Sequence, residues 1–321
     1  MKVLIVGSGI TGTLLAWKLY LRGIDFQIWT DEKISPASFI AAGLINPITG
    51  KRLAKISNFE DYLKIAIETY QEIENYFQIP LIHPHVIYRF LEDETLIHYE
   101  AKNELPEFQK YMEWKPEISF PFLHKIGSGI KIHSAYRINL FLLFSAVHNE
   151  WIREGKFIFQ SFDENKNYDT FDKIILCRGF KESESLLFPF LEWENAAGEI
   201  LIFYSEKLLL KEIMQINKLT IIPMGYDFYW LGATYLRDFK NLSFQSNELE
   251  NFLKKELKVD YQIYKKQTGI RPILKERFPK FLQSNKDPRI CLINGMGSKG
   301  TLLAPKFLNN VLNDTNNFRA F

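Results

Sequence analysis

The chain has 321 residues, 46% of them apolar and 24% charged, which suits one or two globular domains with a sizeable core. Forty basic side chains against 38 acidic ones, a formal charge of +2, exclude an electrostatic nucleic-acid footprint spread over the whole surface. Two distant cysteines, Cys177 and Cys291, exclude a disulfide framework and a cysteine zinc site, and no apolar run approaches the ~20 residues of a membrane-spanning helix. The expectation is a protein of a reducing, cytoplasmic compartment.

In chain order, residues 3–6 read as a strand buried on both faces, and Gly7-Ser8-Gly9-Ile10-Thr11-Gly12 as the turn after it. Residues 13–22 read as a helix stopped by Gly23, and 25–29 as a second strand. This βαβ opening predicts a parallel α/β sheet. Residues 59–77 predict a long amphipathic helix, with Tyr62, Ala66, Tyr70, Ile73 and Phe77 on one face. Residues 80–133 look strand-like and loop-rich, punctuated by prolines, and 138–151 helical. Short buried strands are expected at 157–159 and 173–177. Segments 199–204, 219–223 and 228–231 read as three strands of an antiparallel sheet, 248–257 as a polar helix, 289–293 as a last strand and 305–312 as a last helix. The pattern implies a discontinuous nucleotide-binding domain (1–55, 134–190 and 265–321) with a second, α+β domain (56–133 and 191–264) inserted into it.

Gly7, Gly9 and Gly12 form G-x-G-x-x-G between a strand and a helix, the context that makes this pattern a dinucleotide fingerprint. Gly7 makes the tight turn, Gly9 lets the backbone approach a pyrophosphate, and Gly12 lets helix pack on strand. Amides leading into the helix, those of Ile10 and Thr11 among them, would hold the anion. The fingerprint asks for an acid about 20 residues on, for the ribose hydroxyls. Thr30 takes the strand-end position and Asp31 and Glu32 follow, so the acid is displaced by one; a solvated turn is the alternative reading of that pair. With no arginine there for a 2′-phosphate, NADP is disfavoured. A second glycine turn, Gly295, Gly297 and Gly300, can press on a flat ligand. Thr301 is expected to cap the helix behind it, with Pro305 tolerated in the first turn.

Taken together, VGSGITGTLLAWKLYLRG, SFIAAGLINP, KIILCRG, GEILIFYS, IIPMGYDFYWLGATY, QTGIRPILKERFPKF and CLINGMGSKGTLLAPKFLNNVL resemble, in order and over nearly the whole chain, the signatures of the D-amino-acid-oxidase-like superfamily of FAD-dependent oxidoreductases. That family includes glycine oxidase, sarcosine oxidase and the FAD domain of the bifunctional enzyme that makes 5-methylaminomethyl-2-thiouridine in tRNA. The resemblance implies a Rossmann-like FAD-binding domain, with a substrate domain built on an antiparallel sheet. It implies non-covalent FAD held by the first turn, by Thr30 and Asp31, by Ala41, Ala42 and Gly43, by Gly179, and by Gly295, Gly297, Ser298, Lys299, Gly300 and Thr301. The implied chemistry is oxidation of an amine or amino-acid C–N bond by hydride transfer to flavin N5.

Arg271, in Gly269-Ile270-Arg271-Pro272, matches the family position that grips a substrate carboxylate; the alternative is a structural pair with an acid such as Glu276. Lys299 is a second candidate cation, where glycine oxidase has an asparagine after an arginine, so glycine is not the expected substrate. Tyr226, Tyr229 and Trp230 are candidate pocket walls, with Tyr229 placed among the catalytic residues; core packing is the alternative. His83 and His85 lack a third ligand, so no metal is expected. Lys51 and Arg52 can meet a phosphate or stand in a solvated turn. The alternatives to a small amine substrate are removal of a carboxymethyl group from a modified tRNA base, a flavin-binding protein without turnover, and an NAD-dependent dehydrogenase.

Overall fold

The computed structural model describes residues 1–31, 36–237 and 247–314; Glu32 lies outside them. The strands are β1 (Lys2–Val6), β2 (Asp25–Thr30), β3 (Leu44–Ile45), β4 (Ile48–Thr49), β5 (Ala54–Lys55), β6 (Ile82–Phe90), β7 (Met112–Ile118), β8 (Gly127–Ile138), β9 (Phe157–Phe159), β10 (Lys173–Leu176), β11 (Ala196–Tyr204), β12 (Ile213–Ile216), β13 (Leu219–Gly225), β14 (Phe228–Gly232), β15 (Gln262–Arg271), β16 (Lys280–Gln283) and β17 (Ile290–Asn294). The helices are α1 (Ile10–Leu21), α2 (Phe59–Phe77), α3 (Asp93–Glu100), α4 (Pro106–Gln109), α5 (Leu140–Arg153), α6 (Glu248–Glu256) and α7 (Gly300–Asn313).

Six strands form one sheet in the order β16-β17-β10-β1-β2-β9, parallel except at the β16–β17 edge. Val3, Leu4 and Ile5 are wholly buried, as the unbroken apolar run requires of a strand covered on both faces. The second sheet runs β15-β11-β14-β13-β12-β6-β8-β3, with β7 also on β8. All its pairs are antiparallel except β12–β6. This is a Rossmann-like sheet combined with a large, mainly antiparallel one. Strands β8 and β15 run through the boundaries expected at 133/134 and 264/265, because pairing with β6 and β11 carries each of them on.

Several elements differ from expectation. The 80–133 stretch holds two helices: Pro106 stands in the first turn of α4, where its missing N–H costs nothing. Strand β8 reaches Ile138, and α5 starts only after Asn139, whose side chain accepts a bond from the Leu142 amide. The short strand β12 was not anticipated. Helix α2 spans 59–77 as the periodicity predicts, burying Phe59, Ala66, Thr69, Tyr70 and Ile73.

The large sheet separates two cores. Ile200, Ile213, Ile222 and Trp230 join the main core shared with α1, α2, α5 and α7. Their neighbours Leu201, Phe203, Ile221, Tyr229 and Leu231 pack on the other side against Leu249, Phe252 and Leu253 of α6. The period of two along each strand sets this division.

Candidate active site

The first glycine turn closes where β1 meets α1. Gly7 has φ +109°, and a Cβ on it would lie 2.5 Å from the Cys177 carbonyl oxygen of the neighbouring strand. A Cβ on Gly12 would fall on the Gly7 carbonyl, so helix and turn touch backbone to backbone. Helix α1 begins at Ile10, three residues earlier than expected, which makes Ile10, Thr11 and Gly12 its first turn. The Ile10 amide is taken by Ser38 Oγ at 3.1 Å, a cap from 28 residues away that no local pattern announces. The Thr11 and Gly12 amides have no intrahelical acceptor and stay available for an anion. Behind the turn, Thr13 Oγ1 donates to the Ser8 carbonyl at 3.1 Å and meets His148 Nε2 at 2.8 Å. Since the single hydroxyl proton goes to Ser8, His148 Nε2 carries the other. Burial lowers the His148 pKa to about 4 and keeps the ring neutral.

At the strand end, Thr30 Oγ1 lies 2.9 Å from Ser8 Oγ. Asp31 accepts a bond from Ser161 Oγ at 2.8 Å. Successive side chains leave a strand on opposite sides, so the hydroxyl of Thr30, rather than the Asp31 carboxylate, is turned onto the glycine turn.

The other expected contributors gather around the start of α7. Gly43 (φ +74°) is pinned by the Ile138 amide, which donates to its carbonyl at 2.9 Å, with Ala42 buried and Ala41 exposed beside it. Gly179 (φ +58°) follows β10, and its carbonyl accepts from Asn294 Nδ2 at 2.8 Å. Gly295 (φ +90°) packs on Leu274, and the Gly297 amide (φ +57°) donates to the Pro272 carbonyl at 3.2 Å. Ser298 is exposed. A Cβ on Gly300 would come 2.9 Å from Ile10 Cγ2, so the N-termini of α1 and α7 adjoin.

Helix α7 starts at Gly300, not at Pro305. Thr301 is therefore inside the first turn and caps nothing; its Oγ1 donates to the Leu44 carbonyl at 3.4 Å. Pro305 sits in the helix interior, where its missing N–H strands the carbonyl four residues back. That carbonyl belongs to Thr301, and the fully buried Tyr70 donates its hydroxyl to it at 2.9 Å.

Arg271 lies on β15 facing the main core side. Its guanidinium crosses Gly198, where a Cβ would stand 2.5 Å from Nη2 and 2.7 Å from Nη1. Its protein contacts are long: 3.3 and 3.4 Å to the Thr234 carbonyl and 3.5 Å to that of Ala197, with the Tyr235 ring 5.7 Å away. Among the described residues no carboxylate pairs with it; Glu276 is engaged by Lys280 at 2.6 Å. Burial pushes the Arg271 pKa below the usual value. Lys299, the N-cap residue of α7, is half-buried, has no acid partner among the described residues, and is likewise pushed down by burial.

The aromatic candidates are corrected. Tyr229 is 3% exposed and stacks on Phe203 in the core on the α6 side, the face of the sheet opposite Arg271. It is a core residue and leaves the set of catalytic candidates. Trp230 faces the Arg271 side, but its indole N–H is spent on the Ile40 carbonyl at 2.9 Å, anchoring the loop before Ala41. Tyr226 is 96% exposed.

Two adjoining helix N-termini with available amides, one preceded by Gly7 and the other by Gly295 and Gly297, all at positive φ, fit a ligand with a pyrophosphate and a flat ring carrying partial negative charge. Known proteins agree with that fit. A family model described as FAD dependent oxidoreductase matches residues 2–306. Among solved structures, glycine oxidase from Bacillus cereus ATCC 14579 is similar at 18% identity and a TM-score of 0.75, over 96% of this chain and 95% of that one. Iminodiacetate oxidase from Chelativorans sp. BNC1 gives 16%, 0.71, 97% and 94%. L-alpha-glycerophosphate oxidase from Mycoplasma pneumoniae, solved with FAD bound, gives 16%, 0.70, 97% and 93%. At such identities the structures establish the fold, and the family match over nearly the whole length establishes the rest: this chain belongs to the D-amino-acid-oxidase (DAO) family of FAD-dependent oxidoreductases.

Proposed function

We propose that this oxidoreductase oxidises the C–N bond of a small amine that carries a carboxylate. The observation that carries the reading is Arg271: a desolvated guanidinium, given room by Gly198, with only long carbonyl contacts and no acid partner among the described residues. A planar fork with free donors is suited to a bidentate carboxylate. Bound FAD supplies the acceptor for the hydride that leaves the substrate carbon.

The chain's own groups then have distinct tasks. The Thr11 and Gly12 amides at the α1 terminus hold the pyrophosphate, and the Thr30 and Ser8 hydroxyls stand at the ribose end. The Gly300 and Thr301 amides, with the positive end of α7, favour negative charge on the flavin ring. Arg271 fixes the substrate carboxylate and so aims the carbon next to nitrogen. Lys299, the N-cap residue of α7, would add a second positive charge near the ring. In water-shielded surroundings these fixed charges act more strongly than in solvent.

The test is anaerobic reduction of the yellow holoprotein by a panel of secondary amines and amino acids, with and without a carboxylate. Carboxylated members are expected to bleach the flavin. Arg271→Ala is expected to raise KM for them by at least tenfold while flavin content stays within about 20% of wild type. Equal loss of flavin and turnover would recast Arg271 as a structural residue.

A further inference from the structure

Arg137 is 4% exposed, yet among the described residues its guanidinium has no hydrogen-bond or ion-pair partner, and its Nε is sealed from solvent. Burial lowers its pKa, and among the described residues no carboxylate offsets this. A buried charge left in this state is strongly destabilising, and natural structures supply it with a partner. Its register partner across the sheet is His83 on β6, whose Nε2 is likewise buried without a partner. On the other side Arg137 pairs with Leu44 of β3, next to Gly43 and bonded through its carbonyl to Thr301. Two adjacent side chains on neighbouring strands thus present unmet polar groups beside the loop that leads to α7.

We propose that Arg137 and His83 form a buried binding site for a small oxyanion, a carboxylate or phosphate group, separate from the carboxylate site at Arg271. Arg137 donates to the anion through its fork, and His83 donates through Nε2 once protonated. The groups that act on His83 are Arg137 on β8, His85 on its own strand and Glu74 on α2; His85 is itself paired with Glu212 at 3.4 Å. Burial first, then Arg137 and His85, hold His83 below its usual pKa, while Glu74 and a backbone bond with Pro80 oppose them. An anion placed between the two neutralises Arg137 and favours protonated His83, so binding takes up a proton and tightens as pH falls.

The site is tested on the FAD-loaded protein in an Arg271→Ala background, so that the substrate arginine is silent. Thermal unfolding is followed while acetate or inorganic phosphate is added, with flavin absorbance as a check on loading. The anion is expected to raise Tm, more at pH 6 than at pH 8, and whichever of the two acts at lower concentration identifies the source of the oxyanion. Arg137→Met removes an unpaired buried charge. It is expected to raise Tm in anion-free buffer by about 2 °C or more and to abolish the response to anion. His83→Gln is expected to keep a response to acetate, which is ionised at both pH values, that no longer varies with pH. A lower Tm for Arg137→Met together with an undiminished anion response, or a Tm of the Arg271→Ala protein indifferent to both anions, overturns the proposal. Neither result touches the reading of Arg271, which rests on flavin reduction.

Discussion

Helix α7 depends on a bond that comes from another part of the chain. Pro305 leaves the Thr301 carbonyl without its helical donor, and Tyr70 of α2 supplies one at 2.9 Å from a fully buried position. Tyr70→Phe keeps the ring and removes only the hydroxyl, so its cost is that of an unsatisfied buried carbonyl, about 1–3 kcal/mol. Pro305→Ala returns an N–H to position 305, aimed at the same carbonyl. In that background the hydroxyl is redundant, and Tyr70→Phe is expected to cost about 0.5 kcal/mol or less. The assay is a double-mutant cycle on urea unfolding midpoints, with the FAD dissociation constant of each variant measured alongside. Because Thr301 belongs to the turn proposed to meet the cofactor, Tyr70→Phe alone is also expected to weaken FAD retention. Equal costs for Tyr70→Phe in both backgrounds, within ~0.5 kcal/mol, would falsify the idea that the two residues serve one carbonyl.

Other outcomes follow from single contacts. Gly198→Ala drives a methyl into the Arg271 guanidinium and is expected to raise KM at least as much as it lowers kcat, with FAD content unchanged; steady-state kinetics on the reducing substrate checks this. Gly12→Ala places a Cβ on the Gly7 carbonyl, so the purified variant should be colourless or insoluble, as an absorbance ratio will show. Tyr229→Phe should leave kcat/KM within about twofold and cost up to ~1 kcal/mol in unfolding, since its hydroxyl lies in the core on the far face. His148 has a folded pKa of about 4, below the unfolded value. The unfolded chain therefore takes the extra proton first, so the contribution of His148 is complete above pH ~6.5 and is lost as pH falls toward about 4. The loss is about 3 kcal/mol at most, less where solvent reaches the half-buried ring. Tm measured from pH 7.5 to 4.5 should fall less steeply in His148→Gln, and parallel curves would remove this assignment.

The sequence was most informative where local chemistry and global fold agree. The buried run at Val3–Ile5, the glycine turn and the α2 periodicity each impose one structure on their own residues. Helix starts were less legible. The first turn of α1 is capped by Ser38, and the Thr301 carbonyl that Pro305 strands in α7 is met by Tyr70, 231 residues from Thr301; neither partner can be read from the flanking residues. In the candidate site, residue type singled out Arg271 and Lys299 as proposals, but it did not reveal that Gly198 makes room for one guanidinium. Tyr229 and Trp230 show a different limit. They are neighbours on one strand, so only one can face the Arg271 side, and the choice depends on which face the rest of the sheet buries. The H-x-H pair drew notice as a metal motif, whereas its neighbour Arg137, 54 residues on from His83, became visible only through strand pairing.

Among the described residues a single amide-to-carbonyl link, Gly297 to Pro272, fastens the glycine loop before α7 to the residue beside Arg271. Whatever draws on the arginine from the substrate side also draws on that loop. On the reading proposed above, holding the substrate and tuning the electron affinity of the ring would be mechanically joined over two or three residues, and a substitution at Arg271 is expected to shift the absorbance of the bound cofactor as well as the grip on substrate.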